Sequence, residues 1–243
     1  MARAEATNEV VTVERLVSES QKPDALAVLE DVYIKEKGWI AEKALDAFPH
    51  GSSVSWYMAR VAGKPAGLLR LLYDPPLDFP PGYDVQLKGG VDWKALAARA
   101  RIVEVGRFMI REEYRGKPRI VVKLMAEGIL EVVQREYTHL LTDVFEGEVH
   151  SPLKFHTRIL GFEQIGTHRM GELNTDANRI ILALDIEEAY LRMKQRGGWV
   201  YQELTQRIAG MLEERIALRE AQGSGDGAAS DKPASDSSSA FSN

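Results

Sequence analysis

Two hydrophobic periods alternate along the chain. Residues 10–17 (VVTVERLV) alternate in the manner of a strand, and residues 24–37, entered after Pro23, carry apolar positions at helical spacing. Residues 54–61 and 66–73 are two apolar runs separated by Ala62, Gly63, Lys64 and Pro65, the pattern of a hairpin. Residues 102–110 form a further apolar run, interrupted by Gly106. Residues 119–136 return to the helical period through Val121, Leu124, Met125, Ile129, Val132 and Val133. A strand over 139–145, a short helix over 152–160 and two closing strands over 162–166 and 179–186 complete the series. The predicted order is therefore β–α–(α)–β–β–β–α–β–α–β–β, with no internal repeat.

Two further segments differ in character. Residues 186–222 are expected to be helical with a break at Gly197-Gly198, and Leu204, Ile208, Leu212 and Ile216 recur every fourth residue. That face covers either the core or a partner; the pattern fits both. Residues 223–243 are rich in Ser and Gly with Phe241 as their one large apolar residue, and they are expected to be disordered. Residues 74–92 hold Pro75, Pro76, Pro80 and Pro81 and are too long for a plain connection. The aromatics Phe79 and Tyr83, with Trp93 just beyond, suggest a lid or a flap packed on a sheet edge.

Charge and composition then narrow the functional classes. Lys and Arg number 31 against 36 Asp and Glu, a formal net charge of −5. With no basic tail, this is not the footprint of a general nucleic-acid binder. Cysteine is absent, so disulfides, thiol nucleophiles and Cys-ligated metal are all excluded. No apolar run is long enough for a membrane span and residues 1–20 lack a signal-peptide core, so a cytoplasmic location is expected. The histidines, at 50, 139, 150, 156 and 168, show no metal-ligand spacing, and no metal is expected.

The stretch following residue 102 carries the most chemistry. An apolar strand with a glycine in it often bulges or admits a close backbone approach. It runs into a turn holding Arg111, Arg115, Lys117, Arg119 and, in the helix beyond, Lys123. Basic residues at a helix N-terminus suit an anion such as phosphate, although a solvated charged turn has the same composition.

The order of elements, the segment Arg115-Gly-Lys-Pro-Arg119 before a helix, and the later Lys154-Phe-His-Thr-Arg-Ile-Leu-Gly-Phe162 resemble the GNAT superfamily of N-acyltransferases. Pro118 and Ile120 stand where that family prefers Gly in its pyrophosphate loop, and Thr157 where it often has Tyr. Three segments are similar to the branch that draws its acyl group from acyl carrier protein, the N-acyl amino acid and acyl-homoserine-lactone synthases. These are Val32-Tyr33 with Gly38-Trp39, Gly67-Leu-Leu-Arg70-Leu71 and Glu104-Val-Gly-Arg107-Phe108. Leu29 replaces an Arg usual in the lactone synthases, which favours the acyl-amino-acid type.

The resemblance implies a fold class and a set of roles. The fold is α/β (α+β), with a mixed central sheet splayed in the middle and flanked by helices. Residues 1–186 would be the acyltransferase domain, 187–222 a helical extension and 223–243 the tail. The activity would be transfer of an acyl group, long-chain in this branch, from carrier-protein phosphopantetheine to the α-amine of a small amino acid. Acyl-coenzyme A is the alternative donor, and a catalytically silent binding module the alternative class. Glu104 would be the base, its basicity raised by burial in an apolar strand, or a structural partner of Arg107. A bulge at Gly106 would put these two on one face. The backbone at Phe108, Met109 and Ile110 would meet the thioester and pantetheine. Arg111, Arg115, Lys117 and Arg119 would bind the donor, and His156 would either protonate the leaving thiolate or be a packed or solvent-facing histidine. Arg70, Tyr33, Trp39 and Glu146 would line the acceptor side, Arg70 either holding the acceptor's carboxylate or closing a core-edge salt bridge.

Overall fold

Period-2 runs pair into one eight-stranded sheet in the order β1-β2-β3-β5-β6-β8-β7-β4. The computed structural model describes residues 10–39, 51–77, 83–148, 150–169, 175 and 177–226. The strands are β1 (Val11–Arg15), β2 (Val54–Val61), β3 (Lys64–Tyr73), β4 (Gln86–Leu87), β5 (Ile102–Ile110), β6 (His139–Phe145), β7 (Glu163–His168) and β8 (Arg179–Asp185). Neighbours pair antiparallel except β5 and β6. Those two run parallel and pair only from Ile102 opposite His139 to Glu104 opposite Leu141. Beyond that point they part, and the sheet is splayed there. The β2–β3 hairpin turns on Ala62 and Gly63, both at positive φ (48° and 81°), the two-residue geometry that matches strand twist.

Alternation divides the sheet into two faces. Tyr57, Ala59, Val61, Leu69, Leu71, Val103, Val105, Leu140, Val144, Ile180 and Leu182 face α3 (Pro118–Gln134), whose buried side includes Leu124, Met125, Ile129 and Val132. On the opposite face, Trp56, Met58 and Leu68 pack against α1 (Lys22–Leu29). Farther along that face, Ile102, Leu141, Ile165 and Ile181 are covered from Leu77, Val85, Val91 and Trp93. The C-terminal helices α4 (Ile186–Arg196), α5 (Trp199–Thr205) and α6 (Ala209–Asp226) bury Leu204, Ile208, Leu212 and Ile216 in the same core as α3. Their stripe serves the fold itself.

Four local expectations need correction. A helix α2 (Trp93–Arg99) was not foreseen; Asp92 caps it by accepting from the Ala95 N–H at 2.9 Å. The proline-rich segment is partly sheet, because Gln86 and Leu87 pair with Thr167 and Gly166 of β7. A Cβ on Gly166 would lie 2.7 Å from the Gln86 carbonyl, so this close approach requires glycine. Residues 78–82, with Phe79, lie outside the described residues, so the lid expected over 74–92 is described only in part. The C-terminal segment breaks a second time, between α5 and α6, and α6 continues to Asp226, past the expected boundary at 223. Residues 227–243 lie outside the described residues.

Candidate active site

The bulge expected in β5 is present. Between the pairs Leu68–Met109 and Arg70–Gly106, β5 spends one residue more than β3, and Arg107 takes the left-handed φ of 49°. The extra residue inverts the alternation. Ile102 and Glu104 lie on the face opposite α3, yet after the bulge it is Met109 that joins the α1 cluster on that face. Arg107 now reaches the same side as Glu104, its guanidinium 5.1 Å from the centre of the Tyr33 ring. An αL arginine on a strand stores strain of about 1–3 kcal/mol, which the surrounding sheet must offset.

Where β5 and β6 part, a cavity of about 260 Å³ opens. Of the residues proposed from sequence, Tyr33, Trp39, Arg70, Glu104, Arg107, Phe108, Met109, Ile110, Arg115 and His156 line it. Arg70 and Glu104 form an ion pair, Nη2 to Oε1 at 2.5 Å. Gly106 leaves room for it: a Cβ there would lie 2.9 Å from Arg70 Nη2 and 3.0 Å from Glu104 Oε1, close enough to displace both side-chain ends. The apolar burial expected of Glu104 is corrected by this geometry. Its side chain is 31% exposed, at the cavity wall, and held by a guanidinium.

The approach of α1 to the cavity depends on a widened helix. From Glu30 to Glu36 the backbone bonds lengthen to i→i+5, as in Lys37 N–H to the Val32 carbonyl at 3.1 Å. This turns Tyr33 and Trp39 toward each other edge to face at 5.4 Å, and Trp39 stacks on Phe145 at 4.1 Å. Burial pushes the Tyr33 phenol up, against the opposing charge of Arg107, so it remains a neutral donor.

Four of the proposed residues do not line the cavity. Arg111 is bound to Asp31 and, at 3.2 Å, to the Pro65 carbonyl. Those bonds hold α1 to the sheet, so the guanidinium is engaged inside the chain. Lys117 and Arg119 are exposed on the turn before α3 and in its first turn. Glu146 accepts from Asn178 Nδ2 at 2.5 Å, and its neighbours Glu148 and His150 line the cavity instead. Arg115 does line it, yet its Nη1 donates to Glu36 at 2.8 Å and its Nε to the Ile110 carbonyl at 3.0 Å. Lys123 donates to the Val11 carbonyl at 3.2 Å. Much of the basic cluster thus ties elements together.

His156 is packed, and the acid role is the reading that fails. It is 1% exposed and ringed by Phe108, Phe155 and Phe162, with centroids at 5.9, 5.8 and 5.0 Å. Burial lowers its pKa to about 4, so at neutral pH it is an uncharged imidazole and lacks the proton an acid would give. The turn after it closes on Gly161 at φ 89°, whose N–H, like that of Phe162, bonds back to the His156 carbonyl. The Gly-Phe motif is therefore a helix stop.

Sequence reasoning missed a second polar cluster. Asp143 of β6 accepts from His168 Nε2 at 2.8 Å and from Arg179 Nη1 at 3.1 Å, and all three line the cavity. Burial would raise the Asp143 pKa, but the His168 hydrogen bond and the Arg179 charge outweigh it and hold the carboxyl below its usual range. The Arg179 guanidinium also lies 4.7 Å over the Phe145 ring, and Tyr83 stacks on His168 at 6.0 Å. Asp143 inside the apolar run LLTDVF was the available signal.

No protein-family model and no curated protein matches the sequence. Solved structures do match. FeeM, an N-acyl amino acid synthase from uncultured soil microbes, superposes with a TM-score of 0.60 at 17% identity, covering 79% of this chain and 100% of its own. The ribosomal-protein-S18-alanine N-acetyltransferase from Escherichia coli gives 0.50 at 15%, covering 73% and 94%. A GNAT-family acetyltransferase from Staphylococcus aureus gives 0.50 at 13%, covering 73% and 99%. The chain has the GNAT fold.

Proposed function

We propose that this protein is an N-acyltransferase that moves an acyl group from a phosphopantetheine thioester, presented by acyl carrier protein, to the α-amine of a small amino acid. The observation that carries this reading is the bulged β5 beside the splay. It sets a carboxylate, Glu104, on the wall of a cavity whose other edge is unpaired strand. The acceptor amine loses a proton to Glu104, directly or through a water, and its nitrogen attacks the thioester carbonyl. The C–N bond forms, the C–S bond breaks, and the thiolate leaves and takes a proton from solvent. Arg70 fixes the Glu104 carboxylate. The β5 backbone from Phe108 to Ile110, which has no β6 partner, is placed to meet the thioester and the pantetheine amides.

Carrier protein is favoured over coenzyme A by the start of α3. Pro118 supplies no N–H, and the Ile120 N–H bonds to the Lys117 carbonyl at 3.1 Å. Few amides remain for a pyrophosphate, whereas a carrier protein presents one phosphodiester. The high coverage and TM-score of the FeeM match support the acceptor class. The test supplies acyl carrier protein and coenzyme A thioesters of one acyl chain with a mixture of amino acids, and identifies products by mass. N-acyl amino acids formed faster from the carrier thioester support the reading. Amide products from coenzyme A thioesters alone move it to an ordinary acyl-coenzyme-A N-acyltransferase, and no amide from either donor refutes it.

A further inference from the structure

We infer that Arg179, held by Asp143 and flanked by His168, is a carboxylate-binding subsite that selects acceptors bearing a free acid group. This deepens, and rests on, the N-acyltransferase reading. Sequence reasoning gave that task to Arg70, but Arg70 is engaged with Glu104.

Three observations carry the assignment. The Arg179 side chain is 7% exposed, yet among the described residues its Nε and Nη2 have no hydrogen-bond partner. A buried guanidinium normally fills its donors, because an unmade bond there leaves the group's desolvation uncompensated. The two vacant donors also form one edge. Nε–H and Nη2–H point the same way within the guanidinium plane, the side-on fork that binds a carboxylate through two parallel bonds. Nη1, on the other side, is the nitrogen given to Asp143.

The placement follows from strand register. Arg179 pairs with Phe145 of β6 and with His168 of β7, so its side chain shares the cavity face with Phe145 and Asp143. Phe145 supports the guanidinium plane and Asp143 fixes its rotation. Asp143 stands two residues beyond Leu141, the residue opposite Glu104. That is about 7 Å along the strand. An α-amino acid bridging two such anchors needs roughly 9 Å, two hydrogen bonds of about 3 Å and its own amine-to-carboxylate span. The scales agree. Charge agrees as well: five Lys and Arg side chains line the cavity against three carboxylates, and with Glu36 offsetting Arg115 from behind one positive charge remains for an anion.

The probe is a matched pair, N-dodecanoylglycine and N-dodecanoylglycinamide, titrated calorimetrically into the full chain at neutral pH. The acid should bind at least about 10-fold tighter, the scale of one buried charge-assisted fork. Arg179→Lys keeps the charge without the fork and should reduce the preference to about threefold or less. Arg179→Met with Asp143→Asn removes both charges together, which avoids leaving the aspartate without its guanidinium, and should abolish the preference. A preference that survives in these variants, or equal binding of acid and amide by the wild type, overturns the subsite. Failure of the enzymatic reading is separable. If glycinamide is acylated as fast as glycine, the transferase stands and the subsite falls. If no amine is acylated but the acid preference depends on Arg179, the subsite stands and the transferase falls.

Discussion

Glu131 and Arg179 are both buried charged groups, on opposite faces of one sheet, and they are treated differently. Glu131, on α3, accepts from Tyr57 Oη and from Ser55 Oγ at 2.9 Å, and meets Arg135 at 2.5 Å and Arg15 at 3.2 Å. Every partner belongs to the fold: β1, β2 and α3 are stitched together through one carboxylate. Arg179 is fastened on one side only, and His156 and His168, which line the same cavity, each keep a buried Nδ1 without a partner among the described residues. A polar group that serves stability is expected to be saturated, since partial satisfaction is worse than none. Unpartnered buried atoms occur elsewhere too, as at Tyr73 Oη, but those of Arg179, His156 and His168 share one cavity wall, where a ligand would complete the network.

The sharpest way to break this contrast is to remove a carboxylate from each face. Glu131→Leu strands Tyr57 and Ser55 under α3 and should lower unfolding stability by about 3 kcal/mol, read as a urea midpoint. Turnover per folded molecule should stay within about twofold, because nothing in the network reaches the cavity. Glu104→Gln should do the reverse. Acyl transfer slows by about 10²-fold, equivalent to about 2.7 kcal/mol of barrier, while the unfolding midpoint hardly moves. If Glu104→Gln unfolds the protein and leaves turnover intact, Glu104 belongs with Glu131 as a fastening.

Acid titration sharpens the same comparison. Burial would raise the Glu131 pKa, but hydrogen bonds from Tyr57 and Ser55, with the charges of Arg15 and Arg135, outweigh it and hold the group below the ordinary 4.5. A group depressed in the folded state stabilises fully above its unfolded value and loses that contribution as pH falls through the folded one. The Glu131 contribution should therefore be lost below about pH 4.5. The decline should be shallower in Glu131→Gln, measured by urea midpoints from pH 6 to 3. An unchanged slope in that variant would remove Glu131 from the acid limb. His156, neutral in the fold down to about pH 4 but protonated in the unfolded chain below about 6.5, should add its own loss of stability from about pH 6.5 downward, equally in wild type and variant.

How far the sequence foretold this arrangement varies with distance along the chain. The hairpin, β5 with its bulge, and α3 were legible because each is declared by local spacing, and the Glu104–Arg107 relation follows from one glycine. The Arg179 cluster was not legible. Asp143, His168 and Arg179 sit on three strands whose neighbourhood, β6-β8-β7, is set by topology and not by local pattern. Arg111 and Arg115 misled for the same reason. Their partners Asp31 and Glu36 lie roughly eighty residues earlier, so a cluster that looked like a docking surface is largely internal fastening. The helix α2 was hidden because its seven residues span too few turns to establish a period.

Two glycines give the smallest and most selective version of the contrast. Gly128 lies in α3, and a Cβ there would meet Leu69 Cδ2 at 2.8 Å in the packed core. Gly128→Ala gains about 1 kcal/mol of helix propensity and loses about 1–3 kcal/mol to overpacking, a net destabilisation of about 1 kcal/mol. Its activity should be unchanged. Gly106→Ala places its Cβ against the ends of two side chains, Arg70 and Glu104, that can give way toward the cavity. Gly106 itself keeps an ordinary strand conformation, the left-handed residue being Arg107. The variant should therefore unfold within about 0.5 kcal/mol of wild type. The displaced carboxylate no longer faces the amine squarely, however, and a shift of a few tenths of an ångström should slow transfer by about 10-fold. Paired urea melts and initial rates decide it. Should Gly106→Ala lose stability in proportion to activity, the Arg70–Glu104 pair is part of the framework, and the division of the sheet into a saturated face and an open one fails at its centre.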